Sequence, residues 1–113
     1  MSHRIKQVEK LIREELGGIL LKEFEFPADS FFSIVRVKVS NDLKHATAWI
    51  DVIPVEKRNK VLNFLKKNIF DIQKFLNKKL KMKFVPKVKF AVDKTPDNVE
   101  KVYNLLQKVH DEK

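Results

Sequence analysis

Between about Glu56 and Leu80 the apolar residues Val61, Leu65, Ile69, Ile72, Leu76 and Leu80 step by four, four, three, four and four. Only a helix, at about 3.6 residues per turn, brings such a series onto one face. The segment is therefore one long helix, or two helices meeting at a bend. At about 100° per residue, Lys60, Lys67, Lys74, Lys78 and Lys81 fall together on the side opposite that seam. The rest of the chain must supply an apolar surface for the seam, and it must leave a lysine stripe in water.

Two kinds of flanking element can supply that surface. From Ile5 to Leu20 the residues Val8, Leu11, Ile12, Leu16, Ile19 and Leu20 recur at helical spacing, with Glu9 and Arg13, and Lys10 and Glu14, placed to pair on the wet face. Gly17 and Gly18 interrupt this helix at a cost of about 1 kcal/mol each relative to alanine. They read as close packing against a neighbour or as an early helix end. Pro27, Ala28 and Asp29 mark a loop. Val35, Val37 and Val39 then alternate with Arg36 and Lys38 as a half-buried strand.

Ser40, Asn41 and Asp42 carry turn chemistry. Ala46, Ala48, Ile50 and Val52 alternate with His45, Thr47, Trp49 and Asp51 as the second strand of a hairpin, ending near Pro54. A third strand is predicted from Phe84, with Val88, Phe90 and Val92 inward and Lys87 and Lys89 outward. Thr95, Pro96 and Asp97 combine a capping hydroxyl, a proline at the first helical position and an acid at the positive dipole end. They start a last helix through Val99, Val102, Tyr103, Leu106 and Val109, fraying after His110.

The order is helix, strand, strand, long helix, strand, helix, which predicts an α+β domain with a three-stranded sheet and its helices on one face. The opposite face, bearing Arg36, Lys38, Trp49, Lys87 and Lys89, is then open. A length of 113 residues suits one domain spanning residues 1–113. No apolar run approaches the roughly 20 residues of a membrane span, and the absence of cysteine suits a reducing compartment, so a cytoplasmic location is expected.

The charge is concentrated where the helix seam is. Residues 57–89 hold twelve basic side chains against one acid, Asp71, while the rest of the chain holds twelve basic and fourteen acidic. A localised positive field of this kind is the footprint of a polyanion-binding surface. Near-absence of carboxylates leaves these lysines to repel one another, which a merely solvated helix face avoids. Lysine outnumbers arginine twenty to four, so recognition of phosphates is expected rather than reading of base edges, for which arginine forks are suited. The candidate RNA-binding residues are Lys60, Lys67, Lys74, Lys78 and Lys81 on the helix, extended by Lys87, Lys89 and Arg36 on the sheet.

Catalysis finds no support in the pattern. Ser40, Asp42 and His45 are the residue types of a nucleophilic triad, but they lie within six residues of one turn and have no glycine loop to hold an oxyanion. His3, His45 and His110 are far apart and have no cysteine partners, so no metal or other cofactor is expected. Trp49 reads equally as a stacking platform for an unpaired base and as cover for cross-strand neighbours.

The element order is that of the type II KH arrangement, and within it the chain resembles bacterial ribosome-binding factor A. The resemblance is carried by Arg4 and the helix from Ile5 to Leu20, by Val37-Lys38-Val39-Ser40-Asn41-Asp42-Leu43-Lys44-His45-Ala46, and by Phe84-Val85-Pro86-Lys87-Val88-Lys89-Phe90 followed by Asp93. It implies a non-enzymatic monomer that binds the small (30S) ribosomal subunit and its 16S rRNA. It also implies assistance in late maturation of the rRNA 5′ region, a part in growth in the cold, and release by an assembly GTPase. The Gly-x-x-Gly clamp of ordinary KH domains is missing, since no glycine follows Gly18, and this fits the family. Family members carry an Ala-x-Gly kink at the helix junction, aligned here with Asn68-Ile69-Phe70. Both small residues are replaced, so the bend is made without them or the helix runs straighter. The alternatives of another class are a general KH-like RNA chaperone without a ribosomal partner and a module that meets an acidic protein.

Overall fold

The buried side chains, Val8, Ile12, Leu16, Ile19, Leu20, Val37, Val39, Ala46, Ala48, Ile50, Val52, Val61, Leu65, Ile72, Leu76, Leu80, Val88 and Phe90, form one apolar cluster. The structure is a computed structural model, and it describes residues 2–92. The helix predicted from Thr95 lies outside the described residues. Element order is α1 (Ser2–Glu23), β1 (Phe31–Val39), β2 (His45–Ile53), a 3₁₀ turn (Val55–Lys57), α2 (Arg58–Lys67), α3 (Ile69–Lys79) and β3 (Lys87–Val92). The fold is the α+β one predicted, and its order is consistent with the type II KH arrangement.

β2 is the central strand. It pairs antiparallel with β1 and parallel with β3, the parallel partner being reached through α2 and α3, as a parallel connection requires. The three described helices contribute to the same cluster as the inward residues of the sheet, so they share one face of it. The α2–α3 seam (Val61, Leu65, Ile72, Leu76) is fully buried, and burial at this level stabilises by roughly 1.5–3 kcal/mol for each such side chain. Phe24 and Phe26, in the segment after α1, extend the core. The Phe24 ring meets Phe64 and Phe75 edge-on at 6.4 and 5.9 Å, and Phe26 stacks on Phe32 at 4.4 Å.

Several local expectations are corrected. α1 runs through Gly17 and Gly18 to Glu23, and nothing lies within 4 Å of where a Cβ would sit at either glycine. Neither close packing nor an early end explains them, and nothing in the structure requires glycine there. Glu9, expected on the wet face, accepts the Val39 N–H at 2.9 Å and ties α1 to the end of β1. β1 starts at Phe31, and its register shifts between Ile34 and Arg36. Val35, expected inward with Val37 and Val39, is the extra residue of this bulge. Phe32 and Ile34 pack on the core before it, Val37 and Val39 after it, because one inserted residue moves the period-two alternation to the other parity. Asp51, expected to face water, is only 6% exposed. β3 begins at Lys87 rather than Phe84, and Phe84 is 77% exposed.

Candidate nucleic-acid interface

Of the two readings left open for the long apolar seam, the structure has two helices meeting at a break, and the lysine stripe stands on both. Asn68, at φ −101° and ψ 11°, is the single residue between α2 and α3. Its side-chain amide donates to the Phe64 carbonyl at 2.8 Å, and its own backbone N–H reaches the same oxygen at 3.1 Å. Asparagine is disfavoured in helix interiors and suited to such local bonds, and it stands at the break between α2 and α3. Ile69 packs on the core, while Phe70 is 77% exposed.

Lys60 and Lys67 are exposed on α2, Lys74 and Lys78 on α3, and Lys81 just past the α3 C-cap residue Leu80. The seam faces the sheet, so these side chains point out of the helical layer. Lys87, Lys89 and Arg36 are also exposed, but they alternate with core residues of β3 and β1 and therefore stand on the opposite face of the sheet. The predicted set thus forms two cationic surfaces on opposite sides, not one continuous face.

On the sheet side, register places Arg36 beside Trp49 and Trp49 beside Ala91, Lys38 beside Thr47 and Thr47 beside Lys89, and His45 beside Lys87. The Arg36 guanidinium lies 4.3 Å from the centre of the Trp49 ring, a cation–π distance. Trp49 is therefore covered by its own neighbour and is not a bare platform. Toward the other end of this face Asp51 is buried, although Phe31 there is 72% exposed; the end nearest the β1–β2 turn carries the exposed Lys38, His45 and Lys87.

That end carries a cleft of about 670 Å³ lined by Arg4 of α1, Asp42, Leu43, Lys44 and His45 of the turn, and Met82, Lys83, Phe84, Val85 and Lys87 of the segment into β3. Its walls are fixed by backbone bonds. Ser40 N–H donates to His45 O at 2.8 Å, Leu43 N–H to Ser40 O at 2.9 Å, and Lys87 N–H to Lys44 O at 2.9 Å. The Asp42 carboxylate accepts from Ser40 Oγ at 2.6 Å and from the Lys44 N–H at 3.0 Å. The Ser40 hydroxyl bond, then the Lys44 N–H, holds the Asp42 carboxyl below its ordinary range. Ser40, Asp42 and His45 are in this way committed to the turn, His45 through its backbone N–H onto Ser40 Oγ at 3.1 Å.

On the other wall Gln73 of α3 donates to Pro86 O at 3.1 Å and accepts the Val88 N–H at 2.9 Å. Arg4, Lys44, His45, Lys83 and Phe84 are absent from the predicted RNA-binding set. They come from three segments far apart in the chain, and no local period groups them.

Among the described residues no group of three or more histidines, cysteines or acids is placed to hold a metal, and no helix is long and apolar enough to cross a membrane. The arrangement offers cations, the exposed rings of Phe31, Phe70 and Phe84 and a cleft, which is the equipment of a surface that binds an anionic polymer.

Comparison with known proteins gives the surface its family. A profile of ribosome-binding factor A matches residues 4–106. The chain belongs to the ribosome-binding factor A family. Its relative from Halothermothrix orenii is 31% identical over 110 residues, 96% of this chain and 90% of that one. Among solved structures, the family member from Thermotoga maritima superposes with a TM-score of 0.69 at 21% identity, covering 85% of this chain and 93% of the other. A homology model of the Thermus thermophilus ribosome-binding factor A, fitted into a cryo-EM map of its 30S complex, gives a TM-score of 0.62 at 15% identity over 75% of this chain and 90% of that one. The family keeps this fold across low identity.

Proposed function

We propose that this chain is a single-domain, non-enzymatic assembly factor that binds the small (30S) ribosomal subunit through its 16S rRNA and assists late maturation of the rRNA 5′ region. Membership of the family over residues 4–106 is the observation that carries this reading, and the relative fitted into a 30S complex supports it. The mechanism is binding energy directed to one RNA conformation. Lys60, Lys67, Lys74, Lys78 and Lys81 neutralise phosphates along the α2–α3 face, and Lys87, Lys89 and Arg36 do so on the sheet side. Lysine meets phosphate as a mobile point charge, so shape and backbone are recognised more than sequence, and affinity falls as salt rises.

Cations on both faces suit a position between two RNA elements better than a seat on one. The chain acts as a cytoplasmic monomer, is needed most in the cold, and is released by an assembly GTPase. A second reading follows from the lysine excess itself: a general RNA chaperone would use the same charges without a fixed partner. Sedimentation of cell extract separates the two. The factor is expected with free small subunits and depleted from whole ribosomes; a spread over unrelated RNAs at every density would refute the ribosomal role.

A further inference from the structure

The cleft at the turn end of the sheet has a composition that phosphate neutralisation alone does not call for. Leu43, Met82 and Val85 are half-buried and pack on the core while lining it. Phe84 stands at its edge, 77% exposed, with Lys83 Nζ 5.7 Å from the ring centre. Around this apolar floor are Arg4, Lys44, Lys83 and Lys87, against one carboxylate, Asp42, whose Oδ1 already accepts two bonds. Arg4 lies in the first turn of α1, which contains no acid, so its charge sits at the positive end of a helix dipole and adds to the local field.

We infer that this cleft is a binding site for an unpaired nucleotide of RNA, its base stacked on Phe84 above Leu43, Met82 and Val85 and its flanking phosphates on Lys44, Lys83, Lys87 and Arg4. An aromatic face beside cations is how single strands are held without sequence reading. The cleft has the size of ordinary ligand pockets. A duplex cannot use it, because its bases are not free to stack on a side chain. An acidic peptide would meet the rim but has no use for the ring. The site continues into the open sheet face through Lys87 and His45, which line the cleft and pair in register at its border, so a strand leaving the cleft runs on toward Lys89 and Lys38.

This inference rests on the reading of the chain as an RNA binder, and the test separates the two. The full chain is titrated with a ten-nucleotide single-stranded RNA of unstructured sequence, with the matching duplex and with decaglutamate, while the methyl resonances of Leu43, Met82 and Val85 are followed. The single strand is expected to shift them and the other two probes are not. Phe84→Ala is expected to weaken single-strand binding about tenfold and Phe84→Trp to restore it. Shifts with decaglutamate or duplex but not with the single strand, or equal binding by wild type and Phe84→Ala, would overturn the site. Sedimentation with small subunits reads the ribosomal role independently of either outcome.

Discussion

Gln73 on α3 is the residue that fixes the segment into β3, and with it one wall of the cleft. Its amide donates to Pro86 O at 3.1 Å and to Asn77 Oδ1 at 3.0 Å, and its carbonyl accepts the Val88 N–H at 2.9 Å. Val88 is 5% exposed and Pro86 is fully buried, so replacing Gln73 with leucine leaves a backbone donor and a backbone acceptor with little access to water. Each such group costs about 1–3 kcal/mol. Both bonds are only part-buried, which puts the expected loss for Gln73→Leu at about 2–3 kcal/mol. Urea unfolding reads it directly: at a slope of about 1–3 kcal/mol/M for a small protein, the midpoint drops by about 1–2 M with the slope unchanged. Gln73→Glu keeps an acceptor for Val88 and loses the donor to Pro86, so about half of the loss is expected. Asn77→Ala removes only an exposed bond and costs less than about 0.5 kcal/mol. If Gln73→Leu unfolds within about 0.5 kcal/mol of the parent protein, the clamp contributes nothing and the argument is wrong.

Gly17→Ala and Gly18→Ala should each stabilise by about 0.5–1 kcal/mol, because the helix gains propensity and a Cβ meets open space; a lower melting temperature for either would contradict the packing described. Asp42 has its folded-state carboxyl held below the ordinary 3.8, so it contributes stability above that value which is lost as pH falls through the folded one. Asp42→Asn should therefore flatten the fall of the unfolding midpoint between about pH 5 and pH 2, and parallel pH profiles would dispose of the assignment. Arg36→Gln should uncover the single tryptophan, Trp49, red-shifting its emission and raising quenching by acrylamide. Unchanged fluorescence would show that the guanidinium does not cover the ring.

The parts of the fold that repeat were legible from residues alone. A seam stepping by three and four gave α2 and α3, and alternation gave the register face of β2 and most of β1. Single residues that interrupt a period were harder to place. Asn68 divides the long helix by a side-chain bond to the Phe64 carbonyl, and the apolar series continues across it without a gap. Val35 has the composition of a strand residue, so a bulge that changes parity there is invisible until β1 and β2 are paired.

The candidate site was half legible for the same reason. Helical period places Lys60, Lys67, Lys74 and Lys78 on an exposed side and strand alternation places Lys87, Lys89 and Arg36 on the outer face of the sheet, so both cationic surfaces were legible but not the cleft. The apolar residues from Phe84 onward predict a strand starting there, whereas β3 begins three residues later and leaves the Phe84 ring in solvent. The cleft joins residues 4, 42–45 and 82–87, and such a juxtaposition has no signature along the chain.

Under the proposed function, phosphate contacts from the α2–α3 face are the grip on the small subunit. The most direct test is the binding of purified chain to purified small subunits as a function of salt, for the parent and for the triple variant Lys60→Glu, Lys67→Glu and Lys74→Glu. Each lost phosphate contact should lower the slope of log affinity against log salt by about one. The account predicts much weaker binding at low salt and a slope shallower by about three for the triple variant. Unchanged affinity and slope would contradict it.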